Sequence, residues 1–559
     1  MIWRYRFIFF VILFLFLAII VKLFYWQVVK AEELSSLGQS QYGKSIKLQP
    51  ARGEIKTSDG FPVASNRLSY LVFANPKEIK DKNKSVNILS PILQITPASL
   101  SASLSMERFW VPIKQGVNNG KKSEVEKLNL PGIGFEQQSL RFYTEASMAA
   151  QVIGFVGKDE NGNDKGYFGL EGYYDRLLKG KEGLAVQIHD AMDRPILSRM
   201  NKNSEEIQGR TLTLNIDRAI QFLVEKKLKE GVEKYEAIGG MVGVIDPKTG
   251  NVLAIGGFPS FDPRNFQDYP ADLYKNPFIS NIYEPGSTFK SLVMSSAIDA
   301  KVLEPETKCT ICSGPVSLAD YQIRTWNDKY FENINMIDVI KQSDNTGMVF
   351  VSKALGRDRM LSYLDKFGIG KPTGIDLQGE VSSDIKPKDE WSLLDLATAS
   401  FGQGITVTPI ELLVAFSAIA NEGKMMEPHV VSKIETKDGK TIKVNPKMIE
   451  RPINSQTAKI MTEILVNAVN KGEAQWARLK GYRIAGKTGT AQIPIAGHYD
   501  PDKTIASFIG FAPADDPKFA MLVIVDRPTK SIYGAETAAP IFFDIARDIL
   551  AYYGIQPTE

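Results

Sequence analysis

Three short runs of residues in the 559-residue chain are suited to covalent chemistry. They are Ser287-Thr288-Phe289-Lys290 within YEPGSTFKSLVMSSAI, Ser343-Asp344-Asn345 within KQSDNTGMVF, and Lys487-Thr488-Gly489-Thr490 within AGKTGTAQ. A serine hydroxyl is a poor nucleophile until a base takes its proton. A lysine serves as that base when desolvation and a neighbouring cation lower its pKa. Lys290, three residues after Ser287, falls on the same face of a helix, and Lys487 is the candidate neighbouring cation. Ser343 can relay a proton to a leaving group, and Asn345 offers a donor and an acceptor to a substrate amide. Lys487 with the hydroxyls of Thr488 and Thr490 can hold a terminal carboxylate. Gly489 would let a substrate backbone approach closely, and the backbone N–H groups of Ser287 and Thr490 are candidates for an oxyanion hole. Each run alone occurs by chance in many chains. All three, in this order and in one globular region, point to acyl transfer through a serine ester.

The elements that must position these residues can be read around them. Pro285-Gly286 suits a helix start and puts Ser287 near the helix amino end. The KTGT run reads as an edge strand bordering a cleft. GGMVGVIDPKTGNVLAIGG reads as a β-hairpin turning at DPKTG, and IASFIGFAP and FAMLVIVDRP read as strands before a last helix over Ala539–Tyr552. Leu212, Leu214 and Ile216 alternate, and Ile220, Leu223, Val224 and Leu228 then recur at helical spacing. Strands at both ends of this region, with helices between, predict one antiparallel sheet assembled from distant parts of the chain. Phe401-Gly402-Gln403-Gly404 precedes no phosphate-binding strand–helix unit and reads as packing near the site. Trp326 reads as a core residue rather than a pocket wall.

The amino terminus bears on location. MIWRYR carries two Arg and no acid, and Phe7–Val29 then holds Lys22 as its single charge. At about 1.5 Å per residue this run spans about 35 Å, enough for a bilayer. Arg4 and Arg6 favour a cytoplasmic amino terminus. No A-x-A cleavage pattern follows Val29, so an uncleaved single-pass anchor is expected, with the catalytic region outside the cytoplasmic membrane. The Cys309-Thr-Ile-Cys312 spacing is compatible with a local disulfide in that compartment.

Composition excludes several classes. Lys and Arg total 67 against 64 acids, so no nucleic-acid footprint is expected. Three His and two Cys give no basis for a metal centre. No cofactor is expected. The fold class expected is α+β: a cytoplasmic tail over 1–6, a transmembrane helix over 7–29, a β-rich, elongated non-catalytic pedestal over 30–200, and a catalytic domain over 205–555. An extended entry is expected over residues 30–66, and a polar boundary near 198–210, SRMNKNSEEIQGR.

The three runs together resemble those of class B penicillin-binding proteins, the peptidoglycan D,D-transpeptidases. PARGEI at 50–55 and GLEGYYDRLLKG resemble the two ends of the family's pedestal, and FGQGITVTP and SFIGFAPADDPKFAMLVIVDRP resemble catalytic-module segments. YEPGSTFK with FGQGITVTP is more similar to the division-type branch than to the elongation-type branch. The resemblance implies a serine β-lactamase-like fold, an acyl-Ser287 intermediate formed from D-Ala-D-Ala stem peptides, and acylation by β-lactam antibiotics. It also implies partners: a polytopic membrane glycosyltransferase and other division proteins. Two departures stand out. Thr57-Ser58-Asp59-Gly60 replaces the family's usual Asp-Arg-Asn-Gly, and Asp344 stands where many members have Ser, which suggests a supporting hydrogen-bond role.

The rival readings are a D,D-carboxypeptidase or β-lactamase-type hydrolase, a non-catalytic β-lactam-binding scaffold, and a bifunctional enzyme with its own glycosyltransferase. Against the hydrolase, Glu390-Trp391-Ser392-Leu393-Leu394 only approaches the deacylating Glu-x-x-Leu-Asn loop. Against the scaffold, no motif residue is missing. Against the bifunctional enzyme, residues 30–200 are too few and lack a paired-Glu domain.

Overall fold

The computed structural model describes residues 2–48, 50–189, 195–204, 207–318, 320–495 and 498–558. Two compact units divide the chain. One comprises residues 1–52 with 179–209, the other residues 53–178 with 210–559.

In the first unit, Ile2–Val29 forms one apolar helix with a mean hydropathy of 3.1 and no buried residue. It is long and apolar enough to cross a bilayer and fits a membrane anchor. The expected extended entry is instead a helix over Ala31–Tyr42, with Glu32 and Glu33 in its first turn, where the helix dipole favours acids. Gly43–Leu48, Gly183–His189 and Pro195–Ser204 pair into a three-stranded antiparallel sheet. The expected polar boundary therefore begins inside a strand. Residues 198–204 of that strand carry little apolar alternation, so the sequence pattern hides it.

The second unit joins much of the anticipated pedestal to the catalytic region through shared strands. A seven-stranded sheet takes Ile55–Lys56, Pro62–Ala74, Val111–Val117 and Ile133–Tyr143 from the amino-terminal part. It takes Thr211–Leu214, Val431–Glu435 and Thr441–Lys443 from the rest. Leu212 pairs in parallel with Ile55, and Leu212, Leu214 and Ile216 are buried, as their alternation predicts. Thr57-Ser58-Asp59-Gly60 closes a tight turn, in which Thr57 N–H donates to Phe61 O at 2.9 Å. Buried Arg141 pairs with Glu171 at 2.6 Å and donates to Gly53 O at 2.7 Å, so it bridges the two pedestal-like motifs.

The catalytic sheet has five strands: β1 (Gly239–Ile245), β2 (Val252–Phe258), β3 (Ala485–Ile495), β4 (His498–Ala512) and β5 (Phe519–Asp526). Their order is β2-β1-β5-β4-β3, and every pairing is antiparallel. The hairpin and both late strands thus fall where the sequence puts them, and the KTGT run lies on the edge strand. Helices cover both faces. On one face α1 (Arg218–Lys234) buries Ile220, Val224 and Leu228 against Val242, Val244 and Val523. Further helices in this region include α2 (Lys290–Asp299), α3 (Asn345–Leu355), α4 (Ser455–Lys471) and α5 (Ala538–Tyr552). α5 adds Phe542 and Phe543 to the same face. On the other face Leu292 and Val293 of α2 pack with Met241, Ile509 and Ile524. Central β5 is buried from Phe519 to Val525, which explains its unbroken apolar run. Each such large side chain contributes about 1.5–3 kcal/mol on burial, and this two-sided core is the rigid support of the site.

Candidate active site

Ser287 sits on a 3-10 turn, Gly286–Thr288, that runs directly into α2. Thr288 Oγ1 donates to Pro285 O at 2.7 Å and tightens the turn. Gly286 has φ +56°, a conformation open to glycine without penalty. Its N–H donates to Gly402 O at 3.0 Å, and a Cβ on Gly402 would lie 2.1 Å from Gly286 O. The glycine-rich FGQG segment is therefore the backing on which the Ser287 turn rests. Ser287 is half-buried, and Lys290, the first residue of α2, is fully buried.

Lys290 Nζ donates to Ser343 O at 2.6 Å, to Asn345 Oδ1 at 2.8 Å and to Ser343 Oγ at 3.3 Å. Burial, and next the charge of Lys487, hold its pKa down to about 7. Lys487, on β3, donates to the same Ser343 Oγ at 3.0 Å and to Thr488 Oγ1 at 2.9 Å. Burial lowers its pKa too, opposed by Glu473. The three sequence motifs thus converge on one hydroxyl.

Ser343 has φ +55°, a left-handed conformation that a serine adopts at a cost. Asp344 supports it as the N-cap of α3, accepting from Gly347 N–H at 2.9 Å and Thr346 Oγ1 at 2.6 Å. Asn345 Nδ2 donates to Arg324 O at 2.9 Å while its Oδ1 receives Lys290. Each amide atom keeps a further position, a second Nδ2 hydrogen and a second Oδ1 lone pair, with which to meet a substrate amide.

Gly489 has a packing role of its own. A Cβ there would meet Ser507 Oγ at 2.3 Å and Thr288 Cγ2 at 2.8 Å, so its missing side chain faces the Ser287 turn and the neighbouring strand. The glycine lets the edge strand close on the nucleophile's turn. Thr490 Oγ1 accepts from Gly534 N–H at 3.0 Å.

Three residues near these motifs escape the sequence reading. Glu473, just past the end of α4, accepts from Thr488 Oγ1 at 2.6 Å and lies 4.0 Å from Lys487 Nζ. It is an acid in an unremarkable polar turn, and only the packing of α4 beside β3 brings it to the site. Tyr533 precedes Gly534 and meets Trp326 edge-on at 5.7 Å. Trp326 is 51% exposed, so the expected core role is wrong: its indole lies at the surface near Asn345, donating to Gln342 O at 3.4 Å. Arg324 supplies the carbonyl that anchors Asn345. Cys309 and Cys312, both buried, form a disulfide. Glu390, the candidate deacylating acid, is exposed on a 3-10 turn.

Residues 240–547 match the family described as the penicillin binding protein transpeptidase domain, and residues 47–214 the penicillin-binding protein dimerisation domain. The chain is 32% identical to the stage V sporulation protein D of Bacillus subtilis, over 98% of this chain and 86% of that protein. It is 29% identical to the peptidoglycan D,D-transpeptidase FtsI of Escherichia coli K12, over 95% of this chain and 88% of that one. Among solved structures, penicillin binding protein 2X of Streptococcus thermophilus aligns with a TM-score of 0.77 at 23% identity, covering 92% of this chain and 81% of that one. Penicillin binding protein 3 of Mycobacterium tuberculosis, complexed with aztreonam, aligns with a TM-score of 0.71 at 25% identity, covering 92% and 98%.

Proposed function

The chain belongs to the class B penicillin-binding proteins, and from that premise we propose that Ser287 is the nucleophile of its peptidoglycan D,D-transpeptidase reaction. It is a penicillin-binding transpeptidase of cell-wall synthesis, binding stem peptides and β-lactams. In the reaction, Ser287 Oγ attacks the carbonyl of the penultimate D-Ala and its proton passes to Lys290. The backbone N–H groups of Ser287 and Thr490 stabilise the oxyanion. The amide C–N bond breaks, and the terminal D-Ala leaves as an amine protonated by way of Ser343. An amine from a second stem then attacks the ester, forming the cross-link and returning the proton to Ser287. Lys487 and Thr490 hold the substrate's terminal carboxylate, with Thr488 beside them. Residues 30–200 act as the non-catalytic pedestal and 205–555 as the catalytic domain.

The single observation that carries these roles is the shared Ser343 hydroxyl, within hydrogen-bond reach of both buried lysines. The test uses the full chain in detergent with a D-Ala-D-Ala donor and an amine acceptor. Release of D-Ala with matched acceptor incorporation is expected. D-Ala release without incorporation would establish the hydrolase instead.

The division-type role, the amino terminus inside, and contact with a polytopic glycosyltransferase and other division proteins through the anchor and pedestal are parts of the same proposal. The apolar helix Ile2–Val29, with Arg4 and Arg6 in its first two turns, supports the orientation. Protease digestion of intact spheroplasts should remove the catalytic region. Its survival would reverse the orientation.

A further inference from the structure

We propose that Glu473 is a positioning residue for acylation: it holds the Thr488 hydroxyl and the Lys487 ammonium so that Lys487 keeps its proton and Lys290 is the lysine that gives its proton up. This inference rests on the reading of Lys290 as the base.

The geometry is a chain of hydrogen bonds. The Thr488 hydroxyl donates to Glu473 Oε2 at 2.6 Å. With that proton committed, Thr488 Oγ1 presents a lone pair to Lys487 Nζ, which donates to it at 2.9 Å. Lys487 Nζ also donates to Thr488 O at 3.2 Å and to Ser343 Oγ at 3.0 Å. Lys290 Nζ also donates to three oxygens, so the number of acceptors does not separate the two lysines. The Glu473 carboxylate does: it lies 4.0 Å from Lys487 Nζ and favours an ammonium there.

Lys290 has no such neighbour. Its acceptors are the neutral oxygens of Ser343 and Asn345. The titratable groups acting on it are Lys487, Glu473 and Asp344, of which Lys487 acts most strongly. Two buried lysines joined through one hydroxyl would otherwise compete for the role of base. Glu473 breaks that symmetry by lying next to one of them. It also removes Thr488 as a donor to substrate, leaving the carboxylate of a stem peptide to Lys487 and to Thr490, whose oxygen accepts from Gly534 and whose proton is available to donate.

The test compares wild type, Glu473→Gln and Glu473→Asp as full chains in detergent. The second-order rate of benzylpenicillin acylation is measured from about pH 5 to about pH 10, with melting temperatures alongside. Glutamine is isosteric and still accepts from Thr488, but it carries no charge. The alkaline limb of the bell-shaped profile, set by Lys487, should move down by about one pH unit and the acid limb, set by Lys290, by less, because Glu473 favours the charged form of both lysines but lies 4.0 Å from Lys487. On the alkaline limb the rate should then fall about tenfold, while aspartate keeps the wild-type limbs. Limbs that coincide in wild type and Glu473→Gln would overturn the proposal, as would an equal, pH-independent loss in both variants. Absence of any adduct on wild type would instead refute the parent reading, and this one with it.

Discussion

Ser343 Oγ lies 3.3 Å from Lys290 Nζ and 3.0 Å from Lys487 Nζ, a single hydroxyl shared by two buried lysines drawn from different motifs. This arrangement predicts the pH dependence. Lys290 must be neutral to take the Ser287 proton, and its pKa is held down to about 7. Acylation should rise as pH increases through about 7 and fall again on the alkaline side, where Lys487 loses its proton. Ser343→Ala, which removes the relay, should lower the acylation rate by about 10²–10⁴, with the melting temperature nearly unchanged. Stopped-flow acylation across pH measures both.

Lys290→Met should separate stability from activity. The Lys290 ammonium is fully buried, and its folded-state pKa lies below its unfolded value. Below about pH 7 the buried charge opposes folding in full; as pH rises from about 7 towards the unfolded pKa, that opposition fades. Methionine has similar length and no charge to desolvate. The variant should melt higher than wild type at pH 6, with a smaller gain at pH 9, and form no acyl-enzyme. Calorimetry at both pH values measures the first effect, mass spectrometry the second.

Gly489→Ala should cost about 1–3 kcal/mol through overpacking, since its Cβ would sit 2.3 Å from Ser507 Oγ and 2.8 Å from Thr288 Cγ2. The strain falls on the Ser287 turn, so acylation should slow as well. Ser507 Oγ is buried without a hydrogen-bond partner among the described residues. Adding Ser507→Ala should therefore recover part of both losses, measured by urea unfolding and acylation rate.

Glu225 gives a second pH signature, far from the chemistry. Burial pushes its pKa up to about 7, although its side chain accepts from Ala149 N–H at 2.7 Å and Gln221 Nε2 at 2.8 Å. A group raised in the folded state stabilises fully below its unfolded pKa, and that stability is lost as pH rises through the folded value. Glu225→Gln should leave stability at pH 4 nearly unchanged and raise it by about 3 kcal/mol at pH 8. Thermal melts at the two pH values measure it.

Much of this was legible in the sequence because the relevant signals are local. Ser287 and Lys290 share one turn, and the hairpin at DPKTG carries its own turn chemistry. The unbroken apolar run of β5 follows from burial on both faces. The misses are non-local. Glu473 reaches Lys487 only through the packing of α4 against β3, and Trp326 is aromatic in either a core or a surface role. Gly489 is needed for strand-to-turn packing, which no reading of the KTGT run alone reveals. The helix over Ala31–Tyr42 and the strand over Pro195–Ser204 lack strong periodicity, so their sequences read as entry and boundary.

The central claim is that Ser287 carries the acyl group. Intact-mass spectrometry of the full chain with benzylpenicillin, beside Ser287→Ala, tests it most directly. The account predicts one stable penicillin adduct on wild type, mapped to the peptide containing Ser287, and none on the variant. An adduct that persists in Ser287→Ala, or a folded wild-type chain that takes up no penicillin, would contradict it.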